Sequence, residues 1–243
     1  MSFFFSIITV CLNSEKTIET TIKSVLSQTF TDFEYIIIDG KSSDKTLDII
    51  NRYKDPRIKV ISEKDKGLFD AMNKAIRLSK GKWIHILNSD DYYYSENSLI
   101  KASKVLNEKK TNYFQMCFKN QSNKIYRYYN WDYFKMKLYF KACIPHPSMI
   151  VSAKQYYKVG MYNLTYKFTS DHDFTLRLVE EYPGQNNKFI LVTKQDGGIT
   201  HQNKEKVIEE FRLILINNNF SELLSNLIYF LKKTNLYLRR ILS

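Results

Sequence analysis

Two adjacent carboxylates, Asp90 and Asp91, stand in the segment LNSDDYYY, directly after an apolar run that reads as a buried strand. Carboxylates projecting from a strand end suit Mg²⁺ or Mn²⁺, because the ion keeps coordination positions free for the oxygens of a diphosphate. The same pair can also form a turn or cap a helix, and taken alone it supports either reading. Asp39 ends a second apolar run, FEYIIID, where its carboxylate is placed to accept hydrogen bonds from a base or a ribose. The chain then turns through Gly40 and caps a helix with Ser43 ahead of Asp44. Those residues are explained by the fold; Asp39 is not.

The elements that must hold these groups follow from periodicity. Apolar runs at Phe3 to Val10, Phe33 to Asp39, Ile58 to Ser62 and Trp83 to Leu87 read as strands. Between them Ile18, Ile22, Val25 and Leu26 recur at helical spacing after a possible cap at Ser14, and Ala71, Met72, Ala75 and Ile76 do so after Gly67. Strands alternating with helices predict a parallel sheet covered on both faces, with ligands bound beyond the carboxyl ends of the strands. The polar residues just after each strand are then the candidates: Asn13 and Glu15, Asp39, Glu63 to Asp65, and Asn88 to Asp91. No GxGxxG or Walker pattern occurs, so a dinucleotide fingerprint and a P-loop both lack support.

Composition narrows the partners. A formal charge of +12 points to anionic ligands: nucleic acid, anionic lipid or a nucleotide-sugar. Cys11, Cys117 and Cys143 are far apart and lack CxxC spacing, so neither a disulfide framework nor a zinc site is indicated. The apolar start has no basic region before it and no cleavage pattern after it, and reads as a strand rather than a signal peptide. No apolar run is long enough for a transmembrane helix, so any membrane contact is expected to be peripheral.

The segments SIITVCLNSEKTIETTIKSVLSQTFTDFEYIIIDGKSSDKT, SEKDKGLFDAMNKAI and GKWIHILNSDD together resemble the family 2 glycosyltransferases of bacterial polysaccharide synthesis. The resemblance implies a GT-A fold and inverting transfer from a nucleotide-diphosphate sugar, with UDP favoured and Mn²⁺ or Mg²⁺ as cofactor. It puts Thr9, Asn13 and Glu15 near the nucleotide and Asp39 on the base, with Asp70 and Asn73 on a helix lining the donor site. SDD replaces the family's usual DxD, giving Asp90 the ribose or metal side and Asp91 the metal. In SDHDFTLRL the match makes Asp171 the catalytic base, with Asp173 and Arg177 completing the motif. Ser170 stands where a Glu is common, so a supporting carboxylate is missing, and helix capping is the competing reading of these acids. His201 is a third metal ligand in some relatives. His146, in IPHPSMI, is similar to an acceptor-side segment of related transferases, although a rigid turn explains it nearly as well. His85 is expected in the core, and His172 packed on its helix.

The expectation is therefore an α/β chain: a GT-A-like nucleotide-binding sheet with covering helices (1–95), an acceptor-side and catalytic-base part (96–203), and C-terminal amphipathic helices (204–243). The second part predicts a helix at Ser98 to Asn107, β pieces at Tyr113 to Phe118 and Lys124 to Tyr128, an aromatic helix near Trp131 to Phe140, a helix opening near Asp173, and a strand at Phe189 to Thr193. In FSELLSNLIYFLKKTNLYLRRILS, Leu224, Leu227, Ile228, Leu231, Leu238 and Leu242 share a face flanked by Lys232, Lys233, Arg239 and Arg240. That pattern fits an anionic membrane surface, and docking on the core or on another subunit is the alternative. The expected partners are a nucleotide-sugar donor and a saccharide or lipid-linked acceptor at the cytoplasmic face of the membrane, without nucleic acid. The rival functions are a nucleotidyltransferase acting on sugar phosphates and a basic nucleic-acid-binding module.

Overall fold

A computed structural model describes residues 3–119, 125–129, 144–195 and 203–241. The first half is the expected alternation: β1 (Phe5–Cys11), α1 (Ile18–Leu26), β2 (Phe33–Asp39), α2 (Thr46–Asn51), β3 (Ile58–Ser62), α3 (Leu68–Leu78) and β4 (Trp83–Ile86). Strand β1 pairs in parallel with β2 on one side and with β4 on the other, and β2 pairs in parallel with β3. Successive β1 side chains point to opposite faces: Ile8 and Val10 enter a core built with α3, while Phe5 and Ile7 enter another built with α1. Burial on both faces is why β1, β2 and β4 read as continuous apolar runs, while β3 at the sheet's edge is only partly buried.

Two caps differ from expectation. Helix α1 begins at Ile18 after Thr17, and Ser14 instead closes the preceding turn through its carbonyl. Helix α2 begins at Thr46, because the Ser43 N–H and hydroxyl both donate to Asn13 rather than capping.

The second half extends the same sheet. It comprises β5 (Asp91–Tyr93), α4 (Ser98–Ser103), β6 (Thr111–Lys119), β7 (Ile125–Tyr129), a 3₁₀ turn at His146–Ser148, β8 (Met149–Ser152), α5 (Ala153–Val159), α6 (Ser170–Glu181), β9 (Gly184–Gln195), α7 (Lys204–Asn217) and α8 (Glu222–Ile241). The nine-stranded sheet runs β3-β2-β1-β4-β8-β6-β9-β5, with β7 on β6. Strands β5 and β8 and helix α5 were not expected from periodicity, although Ser152 and Gln155 form a capping box that opens α5. Helix α4 is shorter than predicted and β9 longer. The aromatic helix predicted near Trp131 to Phe140 lies outside the described residues.

Helix α8 packs along α7 with Ser225 and Ile228 buried, and the Lys232 ammonium sits 4.1 Å from the centre of the Phe211 ring. Ile228 therefore faces α7, not outward as its spacing suggested. Leu224, Leu227, Leu231 and Leu238 remain exposed, joined by Leu223, Phe230 and Tyr237. Among the described residues no helix is long and apolar enough to cross a membrane.

Candidate active site

Chain order fixes where the site lies. From β1 the chain moves outward to β2 and β3, then returns to place β4 on the other side of β1, so the loops after β1 and β4 diverge and open a crevice. A cleft of about 780 Å³ occupies that place, lined from the β1 loop (Leu12–Thr17), from Gly40, Asp44 and Asp65, from the start of α3, from Asn88–Asp90, and from His146, Asp171 and Lys194.

At one end the loops after β1 and β2 are stitched together. Asn13, at φ 52°, accepts from the Ser43 N–H (2.9 Å) and donates its own N–H to Ser42 Oγ (2.9 Å). Glu15 accepts from the Lys45 N–H (3.0 Å), and its own N–H donates to Asp44 (3.1 Å). Both residues line the cleft, as expected.

Four other expected donor-site residues are not brought to it. Thr9 is buried, donating to the Leu87 carbonyl and accepting from the Tyr35 hydroxyl. Asp39 is fully buried; its carboxylate accepts from the N–H and hydroxyl of Ser42 and from the Ser62 hydroxyl (2.6 Å), with the Cys11 thiol 3.8 Å away. Burial, with Asp39 beside it, pushes the Cys11 thiol above its ordinary range and makes it unreactive. Asp70 accepts from the Lys66 N–H at the start of α3, 3.8 Å from Lys74. Asn73 is buried and clamps the backbone N–H and C=O of Tyr162. The start of α3 lines the cleft through Gly67, Leu68, Phe69 and Ala71 instead.

The SDD segment is held from beneath by the Thr21 hydroxyl, which donates to the carbonyls of Ser89 and Asp91. Its two carboxylates part company. Asp90 lines the cleft, whereas Asp91 is the first residue of β5 and fully buried rather than solvent-facing. Asp91 Oδ2 accepts from the Asn88 amide (3.1 Å), while Oδ1 has no hydrogen-bond partner and lies 3.6 Å from Lys194 Nζ. Burial lifts the Asp91 carboxyl to about 6 against the pull of Lys194.

Among the described residues no group of three metal-ligating side chains assembles, and His201 lies outside them. The cleft-facing Asp90 with the orphaned Oδ1 of Asp91 nonetheless fits a divalent ion completed by diphosphate oxygens.

At the other end Asp171 lines the cleft from the first turn of α6, with its side chain 31% exposed. Thr169, not Asp171, is the residue preceding this helix. Burial is the largest influence on Asp171 and opposes its ionisation, but the hydrogen bond and charge of His146, together with the charge and backbone N–H of His172, jointly outweigh it and hold the carboxyl below its ordinary range. His146 Nδ1 lies 3.3 Å from Asp171 Oδ2, and its Nε2 lies 3.2 Å from Asn88 Oδ1. Both partners are acceptors, so only a ring with a proton on each nitrogen makes both bonds at once; a neutral ring makes one. With a proton on each ring nitrogen, hydrogen bonds run from Asp171 through His146 and Asn88 to Asp91 Oδ2, and Asp91 Oδ1 on the far side faces Lys194 as an ion pair.

The neighbours of Asp171 in its motif serve the scaffold. Asp173 is buried, pairing with Arg177 (2.9 Å) and accepting from Asn218, while Arg177 reaches the carbonyls of Val159, Gly160 and Met161. His172 stacks on Phe211. A carboxylate from α7 holds the loop that leads into α6: Glu210 accepts from the N–H groups of Lys167, Phe168 and Thr169 and from the Thr169 hydroxyl. His85 is buried as expected, and its bonds to the Tyr93 hydroxyl (2.7 Å) and the Pro147 carbonyl (2.9 Å) fix the turn that carries His146. Sequence reasoning missed Lys194 and Glu210. No local pattern marks either, since each reaches the site through strand pairing or helix docking.

The family model for Glycosyl transferase family 2 matches residues 6–163. The chain belongs to glycosyl transferase family 2. A PGL/p-HBAD biosynthesis glycosyltransferase of Mycobacterium tuberculosis is 30% identical over 179 residues, covering 71% of this chain and 68% of that one. Over a shorter stretch of 89 residues, 36% of each chain, it is 46% identical to the UDP-Glc:alpha-D-GlcNAc-diphosphoundecaprenol beta-1,3-glucosyltransferase WfaP of Escherichia coli. The structure of S. aureus TarS 1-349 superposes with a TM-score of 0.68 at 18% identity, covering 93% of this chain and 69% of that one. A mannosyltransferase from Pyrobaculum calidifontis, solved with GDP-Man and Mn²⁺, gives 0.67 at 13%, covering 89% and 64%. The fold is GT-A. The chain is a glycosyltransferase, and the nucleotidyltransferase and nucleic-acid readings fall away.

Proposed function

We propose that this glycosyltransferase moves one sugar, with inversion, from a UDP-sugar to a hydroxyl of a saccharide or lipid-linked saccharide acceptor in cell-surface polysaccharide synthesis. The observation that carries the reading is Asp171: an ionised carboxylate, steadied by His146, open to the same cleft as Asp90 and the β1 loop. As the acceptor oxygen bonds to the anomeric carbon, its proton passes to Asp171 and the bond to the diphosphate breaks on the opposite face. Asp90 and Asp91 Oδ1 would hold Mn²⁺ or Mg²⁺, which when bound neutralises charge on the leaving diphosphate. UDP is favoured by the name of the E. coli relative and by the TarS complex with UDP-GlcNAc; the GDP-Man complex is the competing precedent. A screen of nucleotide-sugars for hydrolysis, with Mn²⁺ or with EDTA, tests nucleotide and metal together. Turnover of a UDP-sugar that EDTA abolishes is expected, and turnover of GDP-sugars alone would reject UDP.

The exposed apolar stripe of α8, with Lys233 beside it, supports peripheral attachment to the cytoplasmic face of the membrane, where a lipid-linked acceptor would lie. Replacing Leu224 and Leu231 with Glu should abolish binding to anionic vesicles. Unchanged vesicle binding, or a loss only of self-association, would reject attachment through this helix.

A further inference from the structure

We propose that Lys194 is a diphosphate-binding residue of the cleft, a cation supplied by the chain itself to the leaving group; this rests on the nucleotide-sugar reading above. A diphosphate entering here meets the carboxylates of Asp90 and Asp171, which repel it, with Asp91 buried behind Asp90. Lys194 stands among them. Strand β9 fixes its position, since Lys194 is paired with Asp91 on β5 and with Phe118 on β6. Among the described residues the lysines lining the cleft are Lys16, Lys167 and Lys194, and the first two are exposed. Lys194 is largely enclosed, with its side chain 24% exposed, and faces the cleft next to Asp90.

A lysine committed to Asp91 by a hydrogen bond would stand about 2.7–3.2 Å from its oxygen. Here the nearest carboxylate oxygen is 3.6 Å from Nζ and lacks a hydrogen-bond partner. The ammonium therefore keeps donors for phosphate oxygens, the point-charge contact that lysine makes well. Its charge also offsets Asp91, leaving the pair near neutral for an anionic ligand.

The test is calorimetric titration of the full chain in EDTA with inorganic diphosphate, UDP and uridine, for wild type, Lys194→Met and Lys194→Arg. Diphosphate and UDP should each bind about 10-fold more weakly to Lys194→Met, the loss expected for one charge-assisted contact. Lys194→Arg should stay close to wild type, and uridine should bind all three alike. Wild-type diphosphate affinity in Lys194→Met would overturn the proposal. So would a uniform loss that includes uridine and comes with a lower melting temperature, since that marks a structural counterion. If wild type binds UDP no better than diphosphate, the uridine reading fails while the diphosphate comparison still judges Lys194.

Discussion

The two ends of the cleft use their acids differently. At the donor end Glu15 and Asp44, with Asp39 buried behind them, accept hydrogen bonds from neighbouring backbone and hydroxyl groups, so the carboxylates shape the loops after β1 and β2. Farther along the cleft each acidic motif divides: Asp90 and Asp171 face the cleft, while Asp91 and Asp173 turn inward to Lys194 and Arg177. An acidic motif therefore mixes groups that face the cleft with groups buried behind it. Which is which depends on pairing partners elsewhere in the chain.

The largest effect that can break this division is Asp171→Asn. If Asp171 takes the acceptor proton, turnover falls by about 10²- to 10⁴-fold, or about 3 to 5 kcal/mol in the barrier. Nucleotide affinity and melting temperature should hardly move, because Asn keeps the side-chain oxygen that accepts from the His172 N–H. Acceptor-dependent transfer near the wild-type rate would place Asp171 with the scaffold and end the contrast with Asp173.

A smaller effect is expected at the donor end. Asp39→Ala removes the acceptor for the Ser42 N–H and the hydroxyls of Ser42 and Ser62, and should destabilise the fold by about 2–3 kcal/mol. UDP affinity of the folded fraction should stay close to wild type, since the loop stays tied through Asn13 and Glu15. Thermal melts beside UDP titration decide it: a large loss of affinity with an unchanged melt would return Asp39 to the base-binding role its strand-end position first suggested.

That reversal shows what was legible in the chain. Strands β1, β2 and β4 and the helices α1 and α3 announce themselves because burial on both faces demands continuous apolar runs, and helical spacing is local. The cleft's position follows from strand order. Asn13, Glu15 and Asp90 could be found because they sit beside those elements, and Asp171 because SDHDFTLRL resembles the family's acidic motif. Orientation was not legible: Asp90 and Asp91 are neighbours in sequence, and only the pairing of β5 with β9 turns one inward against Lys194. Glu210 holds the loop before Asp171 from a helix some forty residues away, a contact that no local pattern announces.

The smallest effect concerns the histidine next to Asp171. His172 is buried, stacked on Phe211 at 4.7 Å, and its Nε2 has no hydrogen-bond partner. Burial lowers its pKa from 6.5 to about 4. The unfolded chain therefore binds more protons than the folded one between about pH 6.5 and 4, and stability is lost as pH falls through that window. Above it the group costs only its unpaired nitrogen. At pH 5 the proton linkage amounts to about 2 kcal/mol, and His85, lowered similarly by burial, adds to the same acid sensitivity. His172→Phe keeps the ring stack and removes both the orphaned nitrogen and the titration. Its melting temperature at pH 7.5 should rise by about 2–4 °C, for about 1 kcal/mol in a chain of this size. The fall on going to pH 5 should be smaller than in wild type. Turnover at pH 7.5 should be kept, because the backbone N–H that His172 donates to Asp171 survives the substitution. A variant that melts as wild type does at both pH values would show that His172 is not buried neutral. A variant that is stable but slow would move His172 to the catalytic side of α6, beside Asp171.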